Sequence, residues 1–189
     1  MKILKRIFFT ILALLVICIV FRGTLYRHIV TYKSIGQRTT YVVTNDKLIR
    51  YIEENCIEKD NKNIEEIIKE SLSLTSKALN FTFSKNDRDP NRLIDSKTAN
   101  CIGYAAFFTA VCDYQLKKYN LSDQWIVSSE IGQIFVFGTN IHNYFDSSFF
   151  KDHDFVIVKN KTTKEIFAVD PSINDYLCID YITFDNYLK

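Results

Sequence analysis

The order of apolar and polar positions divides the chain into three stretches. In the first, Ile7 to Phe21 is hydrocarbon interrupted only by Thr10 and Cys18, with Lys2, Lys5 and Arg6 ahead of it and Arg22 behind. As a helix that run rises about 22 Å, short of the roughly 30 Å hydrocarbon core of a bilayer. Ile3, Leu4 and Thr24-Leu25-Tyr26 extend it, with Lys5, Arg6 and Arg22 reaching for the headgroups. Ile19-Val20-Phe21 offers no small residues for a signal-peptide cleavage site. Residues 1–25 are therefore expected to be an N-terminal membrane anchor or an uncleaved signal, with residues 3–25 against lipid. The very short tail before this span favours export of the folded domain.

The second stretch has helical periodicity. After a basic, aromatic segment from Tyr26 to Gln37, expected to lead off the membrane, Thr39–Val43 is β-prone. Thr44 or Asn45 can then cap a helix over Asp46–Cys56, with Leu48, Ile49 and Ile52 on one side. Ile64, Ile67, Ile68, Leu72, Thr75 and Leu79 recur at three and four, opposite Glu65, Glu66, Lys69 and Glu70. Asn80–Phe83 reads as extended and Ser84–Arg92, with Pro90, as a loop. A further helix is predicted from Cys101 to about Lys118. Its apolar face is Tyr104, Phe107, Phe108 and Val111, and Gly103, Ala105 and Ala106 are small where another element must come close.

The third stretch is β-prone. Trp125–Val127 and Ile131–Phe137 predict a hairpin around Ser128–Glu130. Gly138–Phe150 is irregular, Phe155–Val158 and Glu165–Val169 pair across Asn160–Thr163, and Tyr176–Phe184 closes the chain as a β-prone piece. Helices followed by strands predict an α+β fold, N-terminal helices packed on an antiparallel sheet and preceded by one membrane-anchor helix. The expected division is an anchor over 1–25, a juxtamembrane segment and first helix over 26–62, and the main domain over 63–189.

Composition narrows the function classes. Apolar residues are 47% and charged residues 24% of the chain, and the net charge is +2. A balance so close to neutral carries no electrostatic footprint for nucleic acid. The five cysteines contain no CxxC pair and no zinc spacing, so no metal or cofactor is expected.

The chemistry gathers around Thr98–Phe108. Cys101 follows Asn100 and opens a helix, where free N–H groups and the positive dipole end favour a thiolate. His153 stands at the start of one predicted strand and Asp170 at the end of the next. In an antiparallel pair those two positions lie side by side. A helix packed across that sheet can bring its N-terminus to the histidine, which gives the nucleophile–base–orienter arrangement of thiol catalysis. Taken singly, each residue has a plainer reading. A buried helical cysteine is a small hydrophobe, a histidine between Asp152 and Asp154 is a solvated surface residue, and Asp170-Pro171 ends a strand. His142 competes as the base but lacks a following apolar strand.

Three blocks extend this reading. Cys101-Ile102-Gly103-Tyr104-Ala105, His153-Asp154-Phe155-Val156-Ile157-Val158 and Val169-Asp170-Pro171-Ser172 resemble, in order, the Cys-x-x-aromatic-Ala, His-x-aromatic-Val and Asp-Pro-Thr/Ser blocks of the transglutaminase-like superfamily of papain-type thiol enzymes. The resemblance covers about Asn63 to Ser172. It implies a papain/transglutaminase-like core in which Cys101 is the nucleophile, His153 its base and then acid, and Asp170 the group that orients the imidazole. It further implies an acyl-enzyme formed from an amide of a peptide or protein substrate, with peptidase or amidase chemistry ahead of crosslinking. One oxyanion donor would be the Cys101 backbone N–H. For the second, Asp95 stands where a papain-like pattern has glutamine, leaving Asn100 as the nearby candidate. A catalytically inactive binding module of the same fold, tethered to the membrane, and a tethered structural protein without a site are the alternatives.

Overall fold

The computed structural model describes residues 2–185; Met1 and residues 186–189, at the outer ends of the expected anchor and main domain, lie outside the described residues. The chain opens with α1 (Lys2–Val20) and α2 (Arg22–Ile29), followed by β1 (Val30–Gln37), α3 (Asp46–Asn55) and α4 (Ile64–Ala78). Then come β2 (Asn80–Phe81), α5 (Pro90–Ser96), β3 (Thr98–Ala99) and α6 (Cys101–Lys118). The last part is β4 (Trp125–Val136), β5 (Thr139–Asn140), β6 (His153–Asn160), β7 (Ile166–Val169), α7 (Pro171–Leu177) and β8 (Thr183–Phe184). The fold is α+β, as expected.

The span Ile3–Val20 of α1 is long and apolar enough to cross a membrane, and none of it is buried. Length and composition of this kind suit an anchor and a signal sequence equally.

The helices form where local chemistry directs them. Asn45 accepts from Lys47 N to start α3, and Asn63 and Glu66 make a reciprocal capping box at α4, which satisfies N–H groups the helix cannot bond internally. Asp89 caps α5 ahead of Pro90, so the loop expected over Ser84–Arg92 ends early in a helix that proline at the first position favours. Beyond the single apolar face read from the sequence, α6 is buried on both flanks. Tyr104, Phe107 and Val111 pack with Leu48, Ile52 and Leu93, while Ala105, Phe108 and Cys112 pack with Ile68, Val127 and Val156. Gly103 is small for the expected reason: a Cβ there would stand 2.7 Å from the Ala99 Cβ.

The main sheet runs in the order β7-β6-β4-β1-β8, with β5 on the end of β4. Its first three pairings along this path are antiparallel, but β1 and β8 pair in parallel, so the sheet is mixed and not plainly antiparallel. The cause is the route of the chain, which leaves β7 at one edge, turns through α7 and returns at the opposite edge.

Segment 26–62, expected as a juxtamembrane segment and first helix, supplies an inner strand as well as that helix. β1 lies between β4 and β8, and Leu48 and Ile52 of α3 are fully buried. The β-prone Thr39–Val43 forms no strand; next to it Asn91 accepts from Thr44 N and Asn45 N and donates to Val42 O.

The hairpin expected around Ser128–Glu130 is one continuous strand, β4. Its polar middle stays extended because every side chain there has a partner. Ser129 bonds Thr109 of α6 at 2.8 Å, and Glu130 accepts from Ser34, Gln37 and Ser128. The reversal falls at Phe137-Gly138, both left-handed, with φ of 48° and 79°. Of the expected terminal β-piece Tyr176–Phe184, only Thr183–Phe184 is strand. Tyr176 and Leu177 belong to α7, which the cap at Asp170 starts.

Candidate active site

Three elements meet at one end of the main sheet. Cys101 is the first residue of α6, 7% exposed, at the N-terminus of an 18-residue helix. β6 pairs with β7 in a register that sets Val156 opposite Val169. The chain therefore enters β6 at His153 beside the place where it leaves β7 at Asp170. The His153 Nε2 lies 2.7 Å from Asp170 Oδ2, and the Cys101 sulfur lies close enough to the same imidazole to raise its pKa. With Nε2 engaged by the carboxylate, Nδ1 is the ring nitrogen that remains for sulfur. The three residues singled out in sequence are thus brought together.

Asp170 is held by both oxygens. Oδ1 accepts from Ser172 N at 3.0 Å, Ser172 Oγ at 2.7 Å and Ile173 N at 3.1 Å, which caps α7. Oδ2 accepts from the Tyr32 hydroxyl at 2.8 Å as well as from His153. Asp-Pro therefore does two jobs, one of which the sequence reading did not foresee. It starts a helix, with proline at the first position, and the same cap fixes the carboxylate facing the imidazole.

The electrostatics follow from this geometry. Burial alone would raise the Asp170 pKa, but the His153 charge and the hydrogen bonds from His153, Ser172 and Ile173 outweigh it, and the pKa is lowered. Burial works against the imidazolium of His153 too. The Asp170 carboxylate and the Cys101 sulfur more than offset it, so its pKa is raised well above the usual histidine value. Neighbouring opposite charge and hydrogen bonds to the charged form win over desolvation at both groups.

Neither a protein-family model, nor a curated protein, nor a solved structure matches the chain. The site is therefore read from its own geometry.

Asn100 is the cap of α6, its Oδ1 accepting from Ile102 N at 3.1 Å and Gly103 N at 3.3 Å. That commits its carbonyl oxygen to the helix. His142, the competing base, is buried with Nδ1 2.6 Å from the Phe150 carbonyl, where it ties down the irregular segment leading to His153.

Two supports of the site were not singled out in sequence. Tyr32 of β1 is fully buried and, besides donating to Asp170, bonds the Tyr26 hydroxyl of α2 at 2.6 Å. Arg38, just past β1, holds the fully buried Asp154 through Nε at 2.8 Å and Nη2 at 3.0 Å. That bidentate bond is the first cause of the raised Arg38 pKa, and the Cys101 sulfur lies within its electrostatic reach. Asp154 is thus no marker of a solvated His153. The available signal for these supports was a tyrosine within, and an arginine just past, a segment that otherwise looked juxtamembrane.

The close packing at the sheet end is also specific. Gly132 pairs with His153, and a Cβ on it would stand 2.5 Å from the Phe155 ring. Phe155 in turn contacts the Tyr32 ring at 5.3 Å.

Among the described residues no cluster of histidine, cysteine and acidic side chains suits a metal ion. What is assembled is an imidazole hydrogen-bonded to an ionised carboxylate, with a thiol beside it. Such an arrangement can take a proton from sulfur, hold it, and return it to a leaving group.

Proposed function

We propose that the protein is a membrane-anchored thiol hydrolase or acyltransferase of the transglutaminase-like kind, acting on an amide of a peptide or protein. The observation that carries this reading is the His153 imidazole beside Cys101, hydrogen-bonded to a carboxylate that accepts five hydrogen bonds in all. His153 takes the proton from the Cys101 sulfur, which attacks the substrate carbonyl. The imidazolium, held by Asp170, returns the proton to the departing amine as the C–N bond breaks, leaving a thioester on Cys101. Water, or a second amine, then attacks the thioester with His153 as base. The blocks that resemble the superfamily support these roles, and cleavage is favoured over crosslinking.

The low exposure of Cys101 favours a second reading, an inactive module of the same architecture that binds a peptide over the site. The two separate in one experiment on the full chain in detergent micelles. Iodoacetamide modification of the five cysteines is followed by peptide mass spectrometry. A catalytic thiol reacts ahead of the buried Cys56 and Cys112, and His153→Ala slows Cys101 by on the order of tenfold or more while leaving the exposed Cys18 and Cys178 unchanged. Equal rates at Cys101 and Cys112, or no effect of His153→Ala, would sink the enzymatic reading.

A further inference from the structure

The end of α1 is tied to the catalytic end of the fold. Arg22, two residues past α1, donates from Nε to the Leu177 carbonyl at 2.6 Å and from Nη2 to the Cys178 carbonyl at 3.2 Å. Leu177 closes α7, whose N-terminus is capped by Asp170. Seven residues of helix span about 10 Å, so the carboxylate facing His153 lies close to the exit of α1. The sheet agrees. Val30, the first residue after α2, pairs with Val136, while Gly132 pairs with His153. Four residues of strand are about 13 Å.

From the same corner a continuous strip of aromatic rings runs past the site. Tyr176 of α7 meets Phe81 at 6.1 Å, Phe81 meets Phe83 at 5.2 Å, Phe83 meets Phe149 at 5.6 Å, and Phe149 meets Phe150 at 5.1 Å. Tyr176 is 63% exposed and Phe83 69%, while Phe81 and Phe149 are half-buried, Phe81 against the core. β2, which carries Phe81, pairs with β3 immediately ahead of Cys101, and Phe150 lies three residues before His153. The strip is therefore joined to the chain segments that lead into both nucleophile and base. Contiguous exposed apolar surface of this kind marks a binding face, and aromatic rings are the side chains favoured at the bilayer interface.

We propose that this strip rests in the bilayer interface beside α1, so that the Cys101–His153 end of the fold faces the membrane and takes a membrane-borne acyl compound. The occupant is argued from continuity, since the strip begins where Arg22 holds the exit of the apolar helix. The substrate class rests on the thiol reading above; contact between strip and lipid rests only on α1 spanning the bilayer.

The test uses the full chain in phosphatidylethanolamine–phosphatidylglycerol vesicles containing lipids brominated near the headgroup end of the chains. Phe83→Trp, Leu14→Trp and Ile126→Trp are compared with the wild type, whose buried Trp125 supplies a constant background. Ile126 lies ten residues along β4 from Val136, about 33 Å from the end of that strand next to α2. The added emission of Leu14→Trp and Phe83→Trp should fall roughly twofold, as for indoles at or below belt depth, while that of Ile126→Trp is unchanged. Phe83→Trp no more quenched than Ile126→Trp overturns the proposal; if Leu14→Trp is still quenched, the anchor stands without it. Adding Cys101→Ala should leave the quenching as it was. In a second measurement, hexadecyl chloroacetamide carried in the vesicles should label Cys101 several-fold more slowly in Phe83→Ser than in wild type, with water-soluble chloroacetamide unaffected. Equal slowing of both probes overturns the substrate class, and failure of both to label wild-type Cys101 overturns the thiol reading itself.

Discussion

Replacing Tyr32 by phenylalanine isolates one hydrogen bond at the heart of the site. The ring, and with it the 5.3 Å contact to Phe155, is retained. What disappears is the hydroxyl that donates to Asp170 Oδ2 at 2.8 Å and meets the Tyr26 hydroxyl at 2.6 Å. A hydrogen bond to a charged, fully buried group contributes about 1.5–3 kcal/mol. Because Asp170 keeps four other donors, Tyr32→Phe should cost about 2 kcal/mol rather than the whole carboxylate network. The assay is denaturant unfolding of the full chain in micelles, followed by circular dichroism, with wild type and variant compared across pH. The sign follows from the lowered native pKa of Asp170. Stabilisation of its ionised form is fully present above the unfolded value near 3.9 and is lost as pH falls through the lower native value. The gap between wild type and Tyr32→Phe should therefore be complete at neutral pH and shrink in acid. A gap below about 0.5 kcal/mol at neutral pH, or one that widens on acidification, refutes the reasoning.

Three further outcomes follow from the same geometry. His153 has a raised native pKa, so the stability it adds over a His153→Gln variant should be complete below about pH 6.5 and decline as pH rises through the raised value, read from the same unfolding curves. Gly132→Ala pushes a methyl into the Phe155 ring behind His153, and overpacking of this kind should cost about 1–3 kcal/mol and slow Cys101 alkylation. Arg38→Ala leaves Asp154 buried without its cation, which should cost about 3–5 kcal/mol; Arg38→Ala combined with Asp154→Ala should recover part of that loss, read as a double-mutant cycle.

The local features were legible because they rest on short-range physics. The capping residue ahead of α3, the three-and-four spacing of α4, the start of α6 at Cys101 and the pairing of β6 with β7 all follow from neighbours a few residues apart. The order of cysteine, histidine and aspartate along those elements was enough to expect their meeting. The errors share a different origin. β4 was split because Ser128–Glu130 is polar, and nothing nearby in sequence announces Ser34, Gln37 and Thr109 as its partners. A solvated reading of His153 stayed open because the arginine that neutralises its neighbour Asp154 lies 116 residues away in the chain. Asp170-Pro171 reads equally well as a strand end and a helix start, and it is both.

The amino-acid order by itself determined the apolar leading helix, the succession of helices before strands, and a thiol, an imidazole and a carboxylate each at the end of an element. Only the tertiary structure decided that β1 is an inner strand, that β8 runs parallel to it, and that Tyr26, Tyr32 and Arg38 support the site from a segment that looked like a tether. The physical reason is that periodicity and capping are set within a turn or two of chain. Strand partnership, by contrast, is chosen among distant segments of similar local pattern, according to which arrangement buries the most apolar surface while giving every buried polar group a partner.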